Sequence, residues 1–269
     1  MGRFWSLLFL LVPVLGVGVF ACAMMVDSKP LMGYWFPEDI SAHGYIIDNL
    51  FSTILYLTGF IFVATGLAFF WFLWKYDASR ATETVKYTHG SHTLEVVWSI
   101  LPAATLLFIA IYQMNAWADA KVLRPIEANG AYTPPIAEVT GRQFEWRIRY
   151  AGNDGLLGTE DDIHTVNELH LPVGEEAVLQ IKSMDVLHSF FLPNARVKQD
   201  VVPGMKQFVW FRPLKTGQFD IVCAELCGWG HYKMKGQMTI QSPGEFQRWL
   251  ERTRTEQQQD SFSLSEEEE

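Results

Sequence analysis

Charge is missing from three long stretches of this chain: residues 4–26, 49–74 and 96–118 hold no Asp, Glu, Lys or Arg. As a helix, each is long enough to cross a hydrocarbon core of about 30 Å. Basic residues are scarce as well. Twenty-one Lys and Arg against 30 Asp and Glu leave a net charge of −9. That balance argues against a nucleic-acid partner, which needs a basic face to displace counterions. It suits a basic protein partner, although part of the charge is the tail Glu266–Glu269. Three cysteines are too few for a disulfide scaffold, and no internal repeat is visible. Charged residues make up 19% against 49% hydrophobic. The apolar excess lies in the first 118 residues, so a lipid-embedded part precedes a water-soluble one.

Trp71, Trp74, Trp98 and Trp117 fall near the ends of the second and third stretches, where indole rings favour the headgroup layer. Pro102 inside the third predicts a kink, which neighbouring helices can accommodate. Two spans are therefore predicted, at about 49–76 and 94–118, within an anchoring region 27–120. The connection between them carries Arg80 and Lys86, with Lys75 at its edge, whereas 27–49 carries only Lys29 against four acids. The positive-inside bias places that connection in the cytoplasm and the C-terminal part outside the inner (plasma) membrane. Residues 1–26 read as a signal peptide, a lipoprotein signal or an extra transmembrane helix. Arg3, an apolar run and Ala21-Cys22-Ala23 resemble a signal with a small-residue cleavage site. Val19-Phe20-Ala21-Cys22 is a poor lipoprotein box, because Phe20 is bulky where a small residue is usual. Cleavage or lipidation of Cys22 is favoured over a retained span.

From about Ala137 the pattern has period two. Phe144, Trp146, Ile148 and Tyr150 alternate with Glu145, Arg147 and Arg149. Leu169, Leu171 and Val173 repeat the alternation, as do Leu179 and Ile181, Phe208 and Trp210, then Phe219, Ile221 and Cys223. Turn signals such as Val202-Pro203-Gly204 and Lys215-Thr216-Gly217 separate them. Many short strands over 130–242 predict a β-sandwich, and with the helical hairpin a membrane-anchored all-β protein. The insert Gly152–Asp162 is rich in carboxylate and glycine. A calcium loop is conceivable there, but it lacks the spacing of a known loop, and a solvated hairpin tip is the simpler reading. Residues 245–256 predict a short polar helix, and the acidic end of 243–269 reads as disordered.

The chemistry concentrates in Cys223-Ala-Glu-Leu-Cys227-Gly-Trp-Gly-His231-Tyr-Lys-Met234. Two thiols, an imidazole and a thioether in one short string are soft donors that select copper, zinc or iron–sulfur chemistry. Zinc has little use for a methionine, whereas a weak thioether beside Cys and His is typical of copper electron-transfer sites. Two cysteines argue against a mononuclear blue-copper arrangement. A disulfide with incidental His and Met neighbours is the plain alternative. It must explain all four residues together with His188, which Asp185-Val-Leu-His188-Ser-Phe places at the end of a predicted strand.

This string resembles the copper A motif of cytochrome c oxidase subunit II, C-x-E-x-C-x-x-x-H-x-x-M. The likeness extends to DVLHSF, to KQDVVPG and to LEVVWSILP, covering about residues 45–242. It implies a cupredoxin-like sandwich holding two copper ions bridged by Cys223 and Cys227, with His188 and His231 ligating one each. Met234 and the backbone carbonyl of Glu225 would complete the pair. It also implies a role as the electron-accepting subunit of cytochrome-c oxidase, supplied by cytochrome c and feeding the haem–copper subunit I among other oxidase subunits. The Glu225 carboxylate would contribute to a magnesium or manganese site shared with that subunit. Glu95 would be the entrance carboxylate of a proton pathway. Its plainer role is that of an acid in a first helical turn after Thr93, favoured by the dipole.

Two departures stand out. Gln143 is followed by Phe144 where the family usually places the Trp that admits electrons, and Trp146 comes two residues later. Phe144 is therefore the expected docking aromatic, with Trp146 as a candidate that size and alternation make a core residue. Asp185 and Asp200 are the acids expected to attract a basic cytochrome. There is no C-x-x-C-H, so no fused cytochrome c domain is expected. A quinol oxidase subunit II would lack the copper ligands, and a copper carrier on the same sandwich would lack the paired helices and Glu95.

Overall fold

The structure, a computed structural model, describes residues 2–25, 35–77, 87 and 89–267. The chain divides into two compact units. The first comprises Met1–Pro37 and Asp48–Met114. Its helices α1 (Gly2–Met25), α2 (Gly44–Lys75) and α3 (His92–Tyr112) are each long and apolar enough to cross a membrane. Large apolar side chains are exposed along all three, as suits a lipid environment. α1 packs along α2: the Ser6 hydroxyl donates to the Phe70 carbonyl at 3.1 Å, and Phe9 stacks on Phe69. Cys22 on α1 is an exposed free thiol. The sequence placed the first of the two paired spans from about 49, but α2 already starts at Gly44. The second, expected to 118, breaks at Gln113, whose N–H turns back to the Ile109 and Ile111 carbonyls. A separate helix, α4 (Met114–Lys121), follows and carries Trp117. Pro102 lies inside α3. Lys29, Arg80 and Lys86, on which the charge bias rests, lie outside the described residues.

The second unit comprises Glu38–Ile47 and Asn115–Glu269. Its strands are β1 (Ala137–Arg142), β2 (Glu145–Tyr150), β3 (Ile163–Val166), β4 (Glu168–Pro172), β5 (Ala177–Ser183), β6 (His188–Leu192), β7 (Val197–Val201), β8 (Gln207–Phe211), β9 (Gly217–Cys223) and β10 (Lys235–Gln241). They form two five-stranded sheets, ordered β3-β2-β1-β5-β8 and β4-β10-β9-β6-β7. Pairing is antiparallel except for β1 with β5 and β4 with β10. The period-two pattern is realised: Trp146, Ile148 and Tyr150 of β2 are buried, and so are Leu169 and Leu171 of β4 and Ile221 and Cys223 of β9. Together with Leu179, Ile181, Phe190 and Leu192 they make one core between the sheets. On β8 the alternation fails, because Val209, Trp210 and Phe211 are all buried. The outer face is covered as well: the Trp210 indole donates to the Asp119 carbonyl at 2.9 Å, and the Arg124 guanidinium lies 3.8 Å from the Phe208 ring centre.

Two further segments complete this unit. Glu38–Ile47, which runs into the first turn of α2, is stitched into the sandwich. Ile40 is buried, its N–H donates to the Asn194 carbonyl, and its carbonyl accepts from Leu214. Lys215 pairs with Glu38 at 2.6 Å. At the other end α5 (Pro243–Glu267) runs beyond the predicted 245–256 into the stretch expected to be disordered. Its start is a capping box, with Ser242 and Glu245 bonded reciprocally and Pro243 in the first turn. Phe246 and Trp249 are buried, and Trp249 stacks on His170 at 3.9 Å. In the Gly152–Asp162 loop the acids are engaged locally: Asp161 accepts from the Asn153 N–H and the Thr159 hydroxyl, and Asp162 from the Gly158 N–H. The loop joins β2 to β3, which pair antiparallel.

Candidate metal centre

The soft donors converge at one end of the β4-β10-β9-β6-β7 sheet. His188 opens β6, Cys223 closes β9, and the connection from β9 to β10 carries Glu225, Cys227, His231 and Met234. β6 and β9 are hydrogen-bonded neighbours, with Phe190 opposite Cys223, so His188 is brought beside the loop by the sheet itself. Met234 is fixed by the Cys223 N–H, which donates to its carbonyl at 3.2 Å.

The donor atoms form a paired layout. The two sulfurs lie 3.9 Å apart, far beyond a disulfide bond, and both thiols are free. Cys223 Sγ faces His188 Nδ1 at 4.0 Å and the Glu225 carbonyl at 3.2 Å. Cys227 Sγ faces His231 Nδ1 at 3.6 Å and Met234 Sδ at 3.7 Å. Donors sitting about 2.0–2.3 Å from one ion at tetrahedral angles are roughly 3.3–3.8 Å from each other. The 3.6 and 3.7 Å spacings fall in that range and the other three lie just outside it, so the group could hold an ion with small adjustments. Each sulfur also has its own imidazole and its own third donor, so the set is twofold. His188, Cys223, Cys227 and Met234 are all buried.

The surroundings prepare these groups. Asp185 accepts from His188 Nε2 at 2.8 Å, from the Gln143 N–H at 2.8 Å and from the Val186 N–H at 2.6 Å. Burial works to raise the Asp185 pKa, but these three donors hold its carboxyl below the usual range. Burial works to lower that of His188, but the Cys223 thiolate and Asp185 hold it above the usual imidazole range. Ionisation of Cys223 is opposed by burial and favoured by the His188 ring, which brings its pKa down to about 6. Burial and the charge on Cys223 push Cys227 up to about 11.

The other predicted residues lie in differing surroundings. Trp146 is fully buried, packed on Phe190 with its ring 6.0 Å from His188, so it is core and offers no surface contact. Phe144 is only half-buried and has Trp229 edge-on against it at 5.1 Å. Asp185 is exposed, as expected of a surface acid, and its carboxylate also accepts from His188 Nε2. Asp200 is exposed on β7. Glu95 lies far along the chain from this group, in the first turn of α3, where Ser91 rather than Thr93 is the cap. It is exposed, 3.9 Å from His92 Nδ1. Sequence reasoning missed Gln143, whose side-chain amide donates to the Cys227 carbonyl at 2.5 Å, and the glycines Gly228 and Gly230 that bring the loop close to Phe144. The Gly-Trp-Gly string was the available signal.

Comparison with known proteins matches both halves. The family model "Cytochrome C oxidase subunit II, transmembrane domain" matches residues 30–116, and "Cytochrome C oxidase subunit II, periplasmic domain" matches 153–241. The "Alternative cytochrome c oxidase subunit 2" of Bradyrhizobium diazoefficiens is 29% identical over 247 residues, covering 84% of this chain and 86% of its own. "Cytochrome c oxidase subunit 2" of Thermostichus vulcanus is 26% identical, with 81% and 80% covered. Among solved structures, the periplasmic domain of subunit II of cytochrome oxidase (CoxB) of Bradyrhizobium japonicum is 28% identical. It covers 45% of this chain and 93% of its own, at a TM-score of 0.40. Matched in both its membrane and its periplasmic part, in that order along the sequence, the chain belongs to the cytochrome c oxidase subunit II family of the haem–copper oxidases.

Proposed function

We propose that this chain is the electron-accepting subunit of its oxidase. On this reading it takes electrons one at a time from a c-type cytochrome and passes them to the haem–copper catalytic subunit. The carrying observation is the paired donor set: two thiols 3.9 Å apart, each with its own imidazole nitrogen within 4.0 Å. His188, Cys223, Cys227, His231, Met234 and the Glu225 carbonyl would hold two copper ions. Such a pair would supply one-electron redox chemistry, with Cys223 and Cys227 as the thiolates that would hold it. The protein's part is to keep that set fixed and dry. The β6–β9 pairing sets the distance between His188 and Cys223. Asp185 holds the His188 ring by Nε2, leaving Nδ1 for the metal. The Gln143 amide ties down the loop at Cys227. Two roles follow the family resemblance. The half-buried Glu225 would present its carboxylate to a magnesium or manganese ion shared with the catalytic subunit, and Glu95 would take up protons at the cytoplasmic edge of α3. The sandwich would then stand on the periplasmic side of the inner membrane.

The purified chain is expected to hold two copper ions and to give a seven-line mixed-valence paramagnetic resonance spectrum. Zinc in their place, or a mononuclear copper signal, overturns the reading.

A further inference from the structure

The aromatic nearest the metal loop on the sequence's account, Phe144, is not the outermost ring. Trp229 is 80% exposed and packs edge-on against Phe144 with ring centres 5.1 Å apart. The backbone explains this order. A Cβ at Gly230 would stand 2.5 Å from Phe144 Cδ2. One at Gly228, whose φ is +136°, would stand 2.7 Å from the Gln143 amide nitrogen. The loop from Cys227 to His231 is thus drawn flat onto Gln143 and Phe144, and the residue between the two glycines is left facing solvent. That residue is the largest side chain available. It is two positions from Cys227 and two from His231, so its backbone leads directly to two of the proposed ligands. Leu226, 76% exposed, and Tyr232, 69% exposed, extend an apolar rim around the same loop. An exposed indole in such a rim has the character of an interface anchor.

Resting on the copper reading above, we propose that Trp229 is the ring through which a donor's electron reaches the metal centre, with Phe144 beneath it as packing support. One electron leaves the ferrous haem of a c-type cytochrome, which becomes ferric, and the copper pair gains it; no bond and no proton changes hands. The Lys233 ammonium lies 5.9 Å from the Trp229 ring centre and 5.5 Å from that of Tyr232. The contact itself is therefore apolar and locally cationic, and the attraction of a basic donor must come from acids farther off.

The test uses the assembled oxidase with full-length variants Trp229→Ala, Trp229→Phe and Phe144→Ala, each first checked for copper content and the mixed-valence spectrum. Photoinitiated reduction by a basic mitochondrial-type cytochrome c is followed across ionic strength, with hexaammineruthenium(II) as a small donor that needs no docking. Trp229→Ala is expected to slow reduction by cytochrome c about tenfold or more, within the range for interface substitutions. The loss should be by the same factor at low and high salt, because the ring acts by contact rather than charge. Trp229→Phe should lie between, Phe144→Ala should cost less than Trp229→Ala, and the ruthenium complex should reduce all variants at the parent rate. A second readout does not depend on turnover: ferric cytochrome c should quench part of the parent's indole emission, and that part should be absent from Trp229→Phe. Parent-rate reduction of Trp229→Ala, or unchanged quenching in Trp229→Phe, overturns the assignment while leaving the copper reading intact. A parent protein without the mixed-valence spectrum overturns both.

Discussion

His188, a ligand on the proposed reading, shows how much of a ring's setting comes from residues outside the donor set. Its ring is completely buried, with one nitrogen facing Cys223 and the other held by Asp185. Replacing Asp185 by Asn keeps the shape but removes the charge that favours the ring's orientation. Metal affinity, measured by competition with a chelator, is expected to fall about 10- to 100-fold, as for other partners of ligating histidines. Cys227→Ser is a harsher change, since a hydroxyl cannot bridge in place of a thiolate. The mixed-valence spectrum should vanish, and a variant that keeps it refutes the ligand assignment. Met234→Leu should retain copper with a shifted potential, because a thioether is a weak ligand. At this scale the sequence was legible wherever chemistry is crowded into one string. Cys223 to Met234 could be read because one short loop supplies most of the donors. Asp185 could not, because its role depends on a ring three residues away turning inward with β6. Phe144 and Trp229 are far apart in sequence, and only the folded loop sets one edge-on against the other.

Among the elements, α5 departs furthest from its expected form. Its start was visible in Pro243 and the polar residues that follow, but its length was not, since a polar stretch carries little apolar periodicity. What holds it is a small contact: Phe246 and Trp249 against Tyr150, with Trp249 flat on His170. Trp249→Ala should cost about 3–5 kcal/mol by the usual measure for a buried aromatic, seen as a lower midpoint in denaturant. The same stack makes the helix sensitive to acid. Burial holds the His170 pKa below the usual imidazole value, outweighing Gln241 and Glu168, which act in the opposite sense. With the folded value depressed, His170 costs nothing above the unfolded pKa of about 6.5. As pH falls below that, the unfolded chain takes up a proton that the folded one resists, and stability drops. Amide exchange in α5 should therefore speed up between pH 7.5 and 5.5 relative to the sheets, beyond the intrinsic pH effect. His170→Phe should flatten that difference, and an unaltered pH profile in the variant would assign the sensitivity to another group.

For the molecule as a whole, the sequence announced two kinds of solvent, with apolar runs for lipid and period-two strands for water, and both are present. Glu95 belongs to this scale, as a carboxylate at the end of a span that on the proposed reading would take up protons. Glu95→Gln is expected to slow oxygen consumption by the assembled oxidase while leaving reduction of the copper centre unchanged. Unchanged turnover across pH would reduce Glu95 to its place in the first turn of α3. What the sequence did not announce is that Glu38–Ile47 belongs to the sandwich, because ten residues ahead of a membrane span look like a connector. Ile40 is nevertheless core, tied to Asn194 and Leu214. A fragment beginning at Asn115 should therefore melt below the full chain, and adding a peptide of residues 38–47 should raise its midpoint. The feature also governs the order of events at synthesis. Ile40 leaves the ribosome before any strand exists, and its seat is finished only when Leu214 has emerged. In the interval Ile40 lacks the Asn194 and Leu214 partners that hold it in the folded sandwich. Closing so long a loop is slow by its entropy alone. This is the interval in which the nascent chain is most open to proteases and to misplaced contacts, and the metal loop from Cys223 onward is made only after it has passed.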